Sequence, residues 1–156
     1  MSQFVDRQWP DVPLRSGALP FRLDPYRRLE ILLIRRKDQA MWSLPKGRLP
    51  SSNAFRETAT MEAFEEAGVE GPTQDRPVGS FLHRKCNSFF LEQPLVEVIV
   101  FPLQVTRQLE VWPEFEVRER KWFEVEQAMD SVAPSHLPNL FLKLQSLIIQ
   151  PALPEW

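Results

Sequence analysis

The chain has 156 residues and a formal net charge of −2, and 43% of its residues are hydrophobic while 26% are charged. These values exclude a disordered or fibrous chain and indicate one globular domain, and the mild acidity argues against a broad nucleic-acid surface, which needs clustered positive charge. Because the chain has one cysteine, no secretory signal pattern and no apolar run that could cross a bilayer, we expect a cytoplasmic protein that binds neither membranes nor nucleic acid.

The first part of the chain predicts an irregular arm followed by three strands. Residues 1–14 contain prolines and little periodicity, whereas Ala18–Leu23 and Leu29–Arg35 have the composition of strands. The second of these is nearly all apolar, as in a strand buried on both faces. A short strand at Met41–Leu44 is predicted to lead into the loop Pro45-Lys46-Gly47.

A helix is predicted over residues 54–67, with signals at both ends. Ser51, Ser52 and Asn53 favour an N-cap, and Gly68 suits the left-handed position after the last turn. One side of this helix is apolar and is expected to pack on a sheet. That side comprises Phe55, Ala59, Ala63, Phe64 and Ala67.

The second part of the chain predicts three more strands and two helices. The strand signals lie at Val78–His83, Leu95–Val105 and Val117–Phe123, and the helical signals lie at Val125–Ser131 and from an N-cap at Ser135 to Ile148. Pro102 indicates a bulge or an edge position in the middle strand. The order β-β-β-α-β-β-β-α-α predicts an α+β fold in which helices cover a mixed sheet.

Three carboxylates follow one face of the first helix. Glu62, Glu65 and Glu66 are related as i, i+3 and i+4, so their side chains project together. Like charges at this spacing cost a helix roughly 0.2–0.5 kcal/mol per pair, and a hard divalent cation such as Mg²⁺ or Mn²⁺ would offset that repulsion. A solvated acidic face is the commoner explanation of such a motif alone, but here a loop that ends at Gly47 lies just upstream.

The segment from Gly47 to Val69 resembles the Nudix hydrolase signature. That signature reads Gly, five residues, Glu, seven residues, Arg-Glu, an aliphatic residue, any residue, Glu-Glu, any residue, Gly and an aliphatic residue. The positions in register are Gly47, Glu62, Ala63, Glu65, Glu66, Gly68 and Val69. Asn53 stands where the first Glu is expected, and Met61 stands where the Arg is expected.

The resemblance implies a Nudix fold, in which a mixed β-sheet is sandwiched between helices as an α/β/α sandwich. It places a single Nudix hydrolase domain at residues 15–150, between the arm at 1–14 and a tail at 151–156. Further likeness at Leu19–Arg22, at Trp42–Gly47 and at Trp112 with Arg118–Phe123 points to the diphosphoinositol-polyphosphate and dinucleoside-polyphosphate branch.

The resemblance also implies a pyrophosphohydrolase that needs Mg²⁺ or Mn²⁺ and cleaves a diphosphate linkage in a nucleoside-diphosphate-type or diphosphoinositol-type small molecule. It assigns Glu62, Glu65 and Glu66 to catalysis and metal binding, and one of them to the base that activates water. Which of the three is the base stays open. The backbone carbonyl of Gly47 is a further metal ligand by analogy.

Cationic side chains are needed to bind the phosphates of such a substrate. Lys46 and Arg48 flank the glycine and are the first choices. Arg22, Arg118 and Arg120 are second choices, and an exposed solubilising role explains them equally well. We expect Trp112 to pack a strand end, with stacking on a base as the less favoured alternative.

The two departures from the signature leave the activity open. In the family the signature arginine helps to orient the catalytic carboxylates, and Met61 has no charge and no donor for that task. Asn53 lacks the charge of Glu. We therefore expect a weakened or specialised enzyme, and the alternative is a degenerate Nudix domain that binds a nucleotide or phosphorylated ligand with little or no hydrolysis. We expect a monomer or a homodimer.

Overall fold

The computed structural model describes residues 11–51, 54–84, 95–133 and 136–148. The strands within these ranges are β1 (Leu14–Leu23), β2 (Leu29–Arg36), β3 (Lys46–Arg48), β4 (Val69–Glu70), β5 (Gly79–Arg84), β6 (Leu95–Gln104), β7 (Arg107–Gln108) and β8 (Arg118–Glu124). The helices are α1 (Phe55–Glu62), α2 (Val125–Ser131) and α3 (Leu137–Ile148), and a π-helical turn (Ala63–Ala67) continues α1. No helix in these ranges is long and apolar enough to span a membrane.

The central feature is a mixed sheet, which has six strands in the described residues. Its path runs β5-β6-β1-β2-β8, and β3 pairs with the beginning of β1. The β1–β6 pair is parallel, while the other pairs in the sheet are antiparallel. β4 and β7 form a separate two-stranded ladder that the sequence analysis did not predict.

Helices cover both faces of the sheet and bury one hydrophobic core on each. α2 and α3 pack on one face, and α1 with the π turn packs on the other. β2 contributes to both cores because its side chains alternate. Its residues in the first core are Leu29, Ile31 and Leu33, and those in the second are Leu32 and Ile34. The predicted α/β/α sandwich and the strand buried on both faces are therefore confirmed.

The predicted strand at Met41–Leu44 is wrong. Trp42 and Ser43 form only isolated bridges, and the third strand covers Lys46–Arg48, of which Lys46 and Gly47 belong to the predicted loop. The reason is that β1 begins at Leu14, four residues before its predicted start. The residues gained at Arg15–Gly17 provide the edge with which β3 pairs. This pairing fixes the glycine loop against the sheet.

The predicted helix over 54–67 exists but changes from α to π geometry at Ala63. Its N-cap is Ala54, whose side chain makes no capping hydrogen bond, while Ser52, Asn53 and the predicted later cap at Ser135 lie outside the described residues. Gly68 has φ +66°, which confirms the left-handed end. Phe64 lies beside the buried stripe of Phe55, Ala59, Ala63 and Ala67, which repeats every four residues, and so it does not join the core.

Pro102 lies in an interior strand, not at an edge, because β6 runs between β5 and β1. The β5–β6 ladder ends at the pair of Gly79 and Val100, so the N–H that Pro102 lacks is not required there. The predicted tail and most of the predicted arm fall outside the described residues, and β1 begins at the last residue of that arm.

Candidate active site

The predicted carboxylates lie at the end of α1 and in the π turn, beside β3. The side chain of Glu62 packs on the Cα of Gly47, and an added Cβ at that position would overlap its carboxylate. Glu66 is only 6% exposed and accepts a hydrogen bond from the backbone N–H of Lys46 at 3.2 Å. The short strand β3 thus provides the surface against which two of the carboxylates are placed.

Four acidic side chains influence one another at this place, namely the three predicted glutamates and Glu114, which precedes β8. Burial, followed by the charges of Glu66, Glu65 and Glu114, raises the pKa of Glu62 to about 7. Burial also raises the pKa of Glu66, while the nearby Lys46 and Arg118 act against that rise. Because the ionised forms repel one another, a cation bound here would be stabilised.

The raised pKa of Glu62 predicts that ionisation of this residue destabilises the metal-free protein as the pH rises from 4.5 towards 7. Over that interval the folded state holds a proton that the unfolded state has released, so raising the pH favours unfolding. We expect Glu62→Gln to raise the melting temperature by about 2–4 °C at pH 8 and by much less at pH 4.5. Thermal unfolding in chelator at both pH values measures this difference, and an equal gain at the two would contradict the assignment.

Residues 109–120, here termed the capping segment, connect β7 to β8, include the first three residues of β8, and close over the π turn. The last four carbonyls of a helix have no partner within the helix, and the capping segment supplies donors to the last three carbonyls of the π turn and to that of Gly68, which follows it. The pairs are Glu114 N–H to Glu65 (3.1 Å), Trp112 Nε1 to Glu66 (3.0 Å), Arg120 Nη1 to Ala67 (2.8 Å) and Leu109 N–H to Gly68 (2.9 Å). The carboxylate-bearing turn is therefore anchored to the end of the sheet.

Two of the five predicted phosphate-binding cations, Lys46 and Arg118, lie beside Glu66, and a third, Arg48, lies on the same short strand as Lys46. Lys46 and Arg48 flank Gly47 on β3, and Arg48 is exposed. Arg118 reaches the site from β8, where its Nη2 lies 3.1 Å from Glu66 Oε2. The cationic side chains therefore approach the acidic cluster from two different strands.

The other two predicted cations have their guanidinium groups committed elsewhere. Arg120 bonds the carbonyls of Ala67, Gly68 and Leu109 and lies 3.9 Å above the ring of Trp112. Arg22 pairs with Glu30 at 2.8 Å, and its guanidinium also lies 4.1 Å above the ring of Trp122. Trp112 in turn packs on the end of the π turn.

Sequence reasoning missed two residues, Arg15 and Glu114. Arg15 lies directly opposite Arg48 in the β1–β3 ladder, and burial together with Arg48 lowers the pKa of Arg15. Like charges at opposed positions are unfavourable, yet neither arginine forms a salt bridge within the described ranges. The sequence carries no signal for either residue, because each depends on a long-range pairing.

The donor chemistry of the site fits a hard divalent cation, since carboxylate and carbonyl oxygens are the ligands that Mg²⁺ prefers. Glu62 packs so closely on Gly47 that a Cβ at this position would displace the Glu62 side chain. In the part of the chain that the structure describes, no three acidic, His or Cys side chains converge as a coordinating group. Glu66 instead accepts hydrogen bonds from Lys46 and Arg118.

Of the two departures from the signature, the structure describes Met61 and not Asn53. Met61 is 49% exposed and, with Glu57 and Phe64, lines a groove along α1. Asn53 lies outside the described residues.

The known proteins that resemble this chain belong to one family. The NUDIX domain family matches residues 13–142. Nudix hydrolase 12, mitochondrial, of Arabidopsis thaliana is 33% identical over 141 residues, which cover 80% of this chain and 70% of that protein. Human diphosphoinositol polyphosphate phosphohydrolase 3-alpha is 33% identical over 129 residues, which cover 80% and 71% respectively.

Solved structures show the same fold. A binary complex of C. elegans Ap4A hydrolase superposes with a TM-score of 0.63 at 18% identity, covering 87% of this chain and 97% of that one. The NUDIX domain of Shewanella oneidensis NrtR, complexed with ADP ribose, also has a TM-score of 0.63, at 14% identity and 87% and 88% coverage. With the family match extending over most of its length, the chain belongs to the Nudix hydrolase family.

Proposed function

We propose that the protein is a metal-dependent pyrophosphohydrolase that cleaves a diphosphate linkage in a nucleoside-diphosphate-type or diphosphoinositol-type small molecule. The observation that carries this proposal is the packing of Glu62 on Gly47 and of Glu66 on the Lys46 N–H. This arrangement holds carboxylates that repel one another beside a strand that carries cations. The stability of the core does not require it. Family membership supports hydrolysis of phosphoric anhydrides in general.

The carboxylates of Glu62, Glu65 and Glu66, together with the carbonyl of Gly47, would hold the cation. Mg²⁺ or Mn²⁺, when bound there, would neutralise phosphate charge and polarise the phosphoryl group. One of the three carboxylates accepts the proton of the attacking water, which is the general-base role. Burial of Glu66 keeps bulk water away from its carboxylate.

We assign substrate phosphates to a cationic strip formed by Arg15, Lys46 and Arg48. Register places Arg15 opposite Arg48, and alternation along β3 places Lys46 on the same face. An anionic ligand would relieve the repulsion between the two arginines, which the described part of the protein leaves without a salt-bridge partner. Arg120 and Arg22 make the protein contacts described above, and their role in phosphate binding stays a prediction.

The experiment is a substrate panel assayed with Mg²⁺, with Mn²⁺ and with EDTA. It contains diadenosine polyphosphates, diphosphoinositol polyphosphates, nucleotide sugars, dinucleotide cofactors and oxidised nucleoside triphosphates. We expect cation-dependent cleavage of at least one class, with loss of the activity in EDTA. Cleavage that persists unchanged in EDTA would contradict the metal-dependent mechanism.

A second candidate is a degenerate domain that binds a phosphorylated ligand without cleaving it. The observation in its favour is that both oxygens of Glu66 accept hydrogen bonds from the protein itself, while Met61 is an uncharged, half-exposed side chain. Calorimetric binding of a panel member without turnover would select this candidate. The cytoplasmic location stays a prediction, and several relatives carry mitochondrial or chloroplastic in their names.

A further inference from the structure

The buried carboxylate of Glu66 is paired with a cation from a distant strand. Arg118 Nη2 lies 3.1 Å from Glu66 Oε2, and the two side chains are 16% and 7% exposed. Exposed ion pairs contribute little because water and salt screen them, but this pair is largely shielded. The contact joins β8 to the π turn across 52 residues of sequence.

Both oxygens of Glu66 are held, and they are held from different elements. Oε1 accepts the backbone N–H of Lys46 at 3.2 Å, and Oε2 accepts the guanidinium of Arg118. Arg118 is itself fixed, because its Nε donates to Glu114 Oε1 at 3.0 Å. Glu114 in turn donates its backbone N–H to the carbonyl of Glu65 at 3.1 Å. Rotation of the Glu66 carboxylate is therefore opposed from both β3 and β8.

We propose that Arg118 is the positioning residue that orients the Glu66 carboxylate for cation binding, a task for which Met61 has neither charge nor location. Met61 lines the groove along α1 together with Glu57, and no residue of β3 lines that groove. This inference rests on the proposed function and deepens it, because it names the residue that arranges the cation ligand.

Removing Arg118 would change both the charge of the site and the orientation of the Glu66 carboxylate. These two changes predict opposite effects on Mn²⁺ affinity. The loss of a cation beside Glu66 makes the site more negative, so Coulomb attraction alone would tighten Mn²⁺ binding. The loss of orientation frees a carboxylate that must then be immobilised on binding, and removing such a supporting partner costs roughly 10–100-fold in metal affinity. The direction of the change therefore identifies the role.

The test measures Mn²⁺ affinity of the substrate-free full chain by the EPR signal of unbound Mn²⁺, and kcat and KM with a cleaved panel substrate. We expect Arg118→Met to weaken Mn²⁺ binding about 10–100-fold and to lower kcat comparably, with KM changed by less than about threefold. Arg120→Met is the matched control, since it removes another β8 contact to the π turn without touching Glu66. It should lower the melting temperature and leave Mn²⁺ affinity unchanged.

Arg118→Lys tests geometry at constant charge. A lysine lacks the fork that bonds Glu66 and Glu114 together, so we expect Mn²⁺ affinity to fall about threefold or more, but less than with methionine. If Arg118→Met does not fold, Arg118→Lys becomes the deciding test. Unchanged Mn²⁺ affinity of Arg118→Lys would then overturn the proposal.

Other outcomes are equally decisive. Unchanged or tighter Mn²⁺ binding by folded Arg118→Met overturns the role of Arg118, and so does a raised KM with unchanged kcat and affinity, which would indicate a direct phosphate contact. If wild type binds Mn²⁺ and cleaves substrate, and Arg118→Met has the same Mn²⁺ affinity and the same rate of cleavage, only this inference fails. If wild type does neither, the proposed function fails and the inference fails with it.

Discussion

Glu66→Gln should lower kcat for a cleaved diphosphate substrate roughly a thousandfold while the fold persists. The substitution keeps the shape of the side chain but removes the negative charge of a group that is 6% exposed. It also leaves the shielded guanidinium of Arg118 with Glu114 as its acidic neighbour. The proposed cation ligand and its ion pair with Arg118 would thus be lost together.

The measurement is kcat at saturating Mg²⁺, with thermal unfolding as the check on folding. Glu57→Gln is the matched control, because Glu57 lies on the same helix with 66% of its side chain exposed and faces the groove. We expect its kcat to stay within about twofold of wild type, as for a surface substitution. A Glu66→Gln protein that retains more than about a tenth of the rate would show that this carboxylate is not required.

Gly68→Ala should lower the free energy of unfolding by about 2–4 kcal/mol. Gly68 has φ +66°, a region that residues with a Cβ occupy at a cost. An added Cβ would also lie 2.7 Å from Trp112 Cγ and 2.7 Å from Arg120 Nη1. Neither neighbour can move freely, since each donates a hydrogen bond to a carbonyl of the π turn.

Urea unfolding of metal-free protein measures this change. Gly47→Ala is the informative control, because the nearest atoms to its Cβ would be the Oε1, Cδ and Cγ of Glu62, a flexible side chain. We expect it to cost less than about 1 kcal/mol, since that carboxylate can turn aside. Equal losses in the two variants would show that the capping segment does not resist substitution at Gly68.

The sequence pattern predicted the features that depend on residues close together in the chain. The nearly continuous apolar run of β2 requires burial on both faces, and its side chains are buried in the two cores on either side of the sheet. Gly68 ends the helix in the left-handed region, which a residue without a Cβ adopts at little steric cost. The spacing of Glu62, Glu65 and Glu66 predicted a shared side from helical geometry, and the pKa of Glu62 responds to the other two carboxylates.

Features that depend on contacts distant in sequence were not predictable in this way. β3 forms at Lys46–Arg48 because the start of β1 pairs with it, and neither strand end has a strong pattern of its own. The change to a π turn at Ala63 depends on hydrogen-bond register, which the composition of the helix does not encode. The pairing of Arg118 with Glu66 depends on how β8 meets the helix.

The capping segment has a consequence for the order of folding. Its donors reach the π turn from far along the chain, with separations of 46 residues for Trp112 and 53 for Arg120. Closing a long loop costs conformational entropy before its contacts compensate, so such contacts form late. During synthesis we therefore expect the carboxylate-bearing turn to stay incomplete until Arg118, which contacts the Glu66 carboxylate, has left the ribosome. The chain becomes competent to arrange Glu66 when β8 docks on β2, and not when the helix first forms.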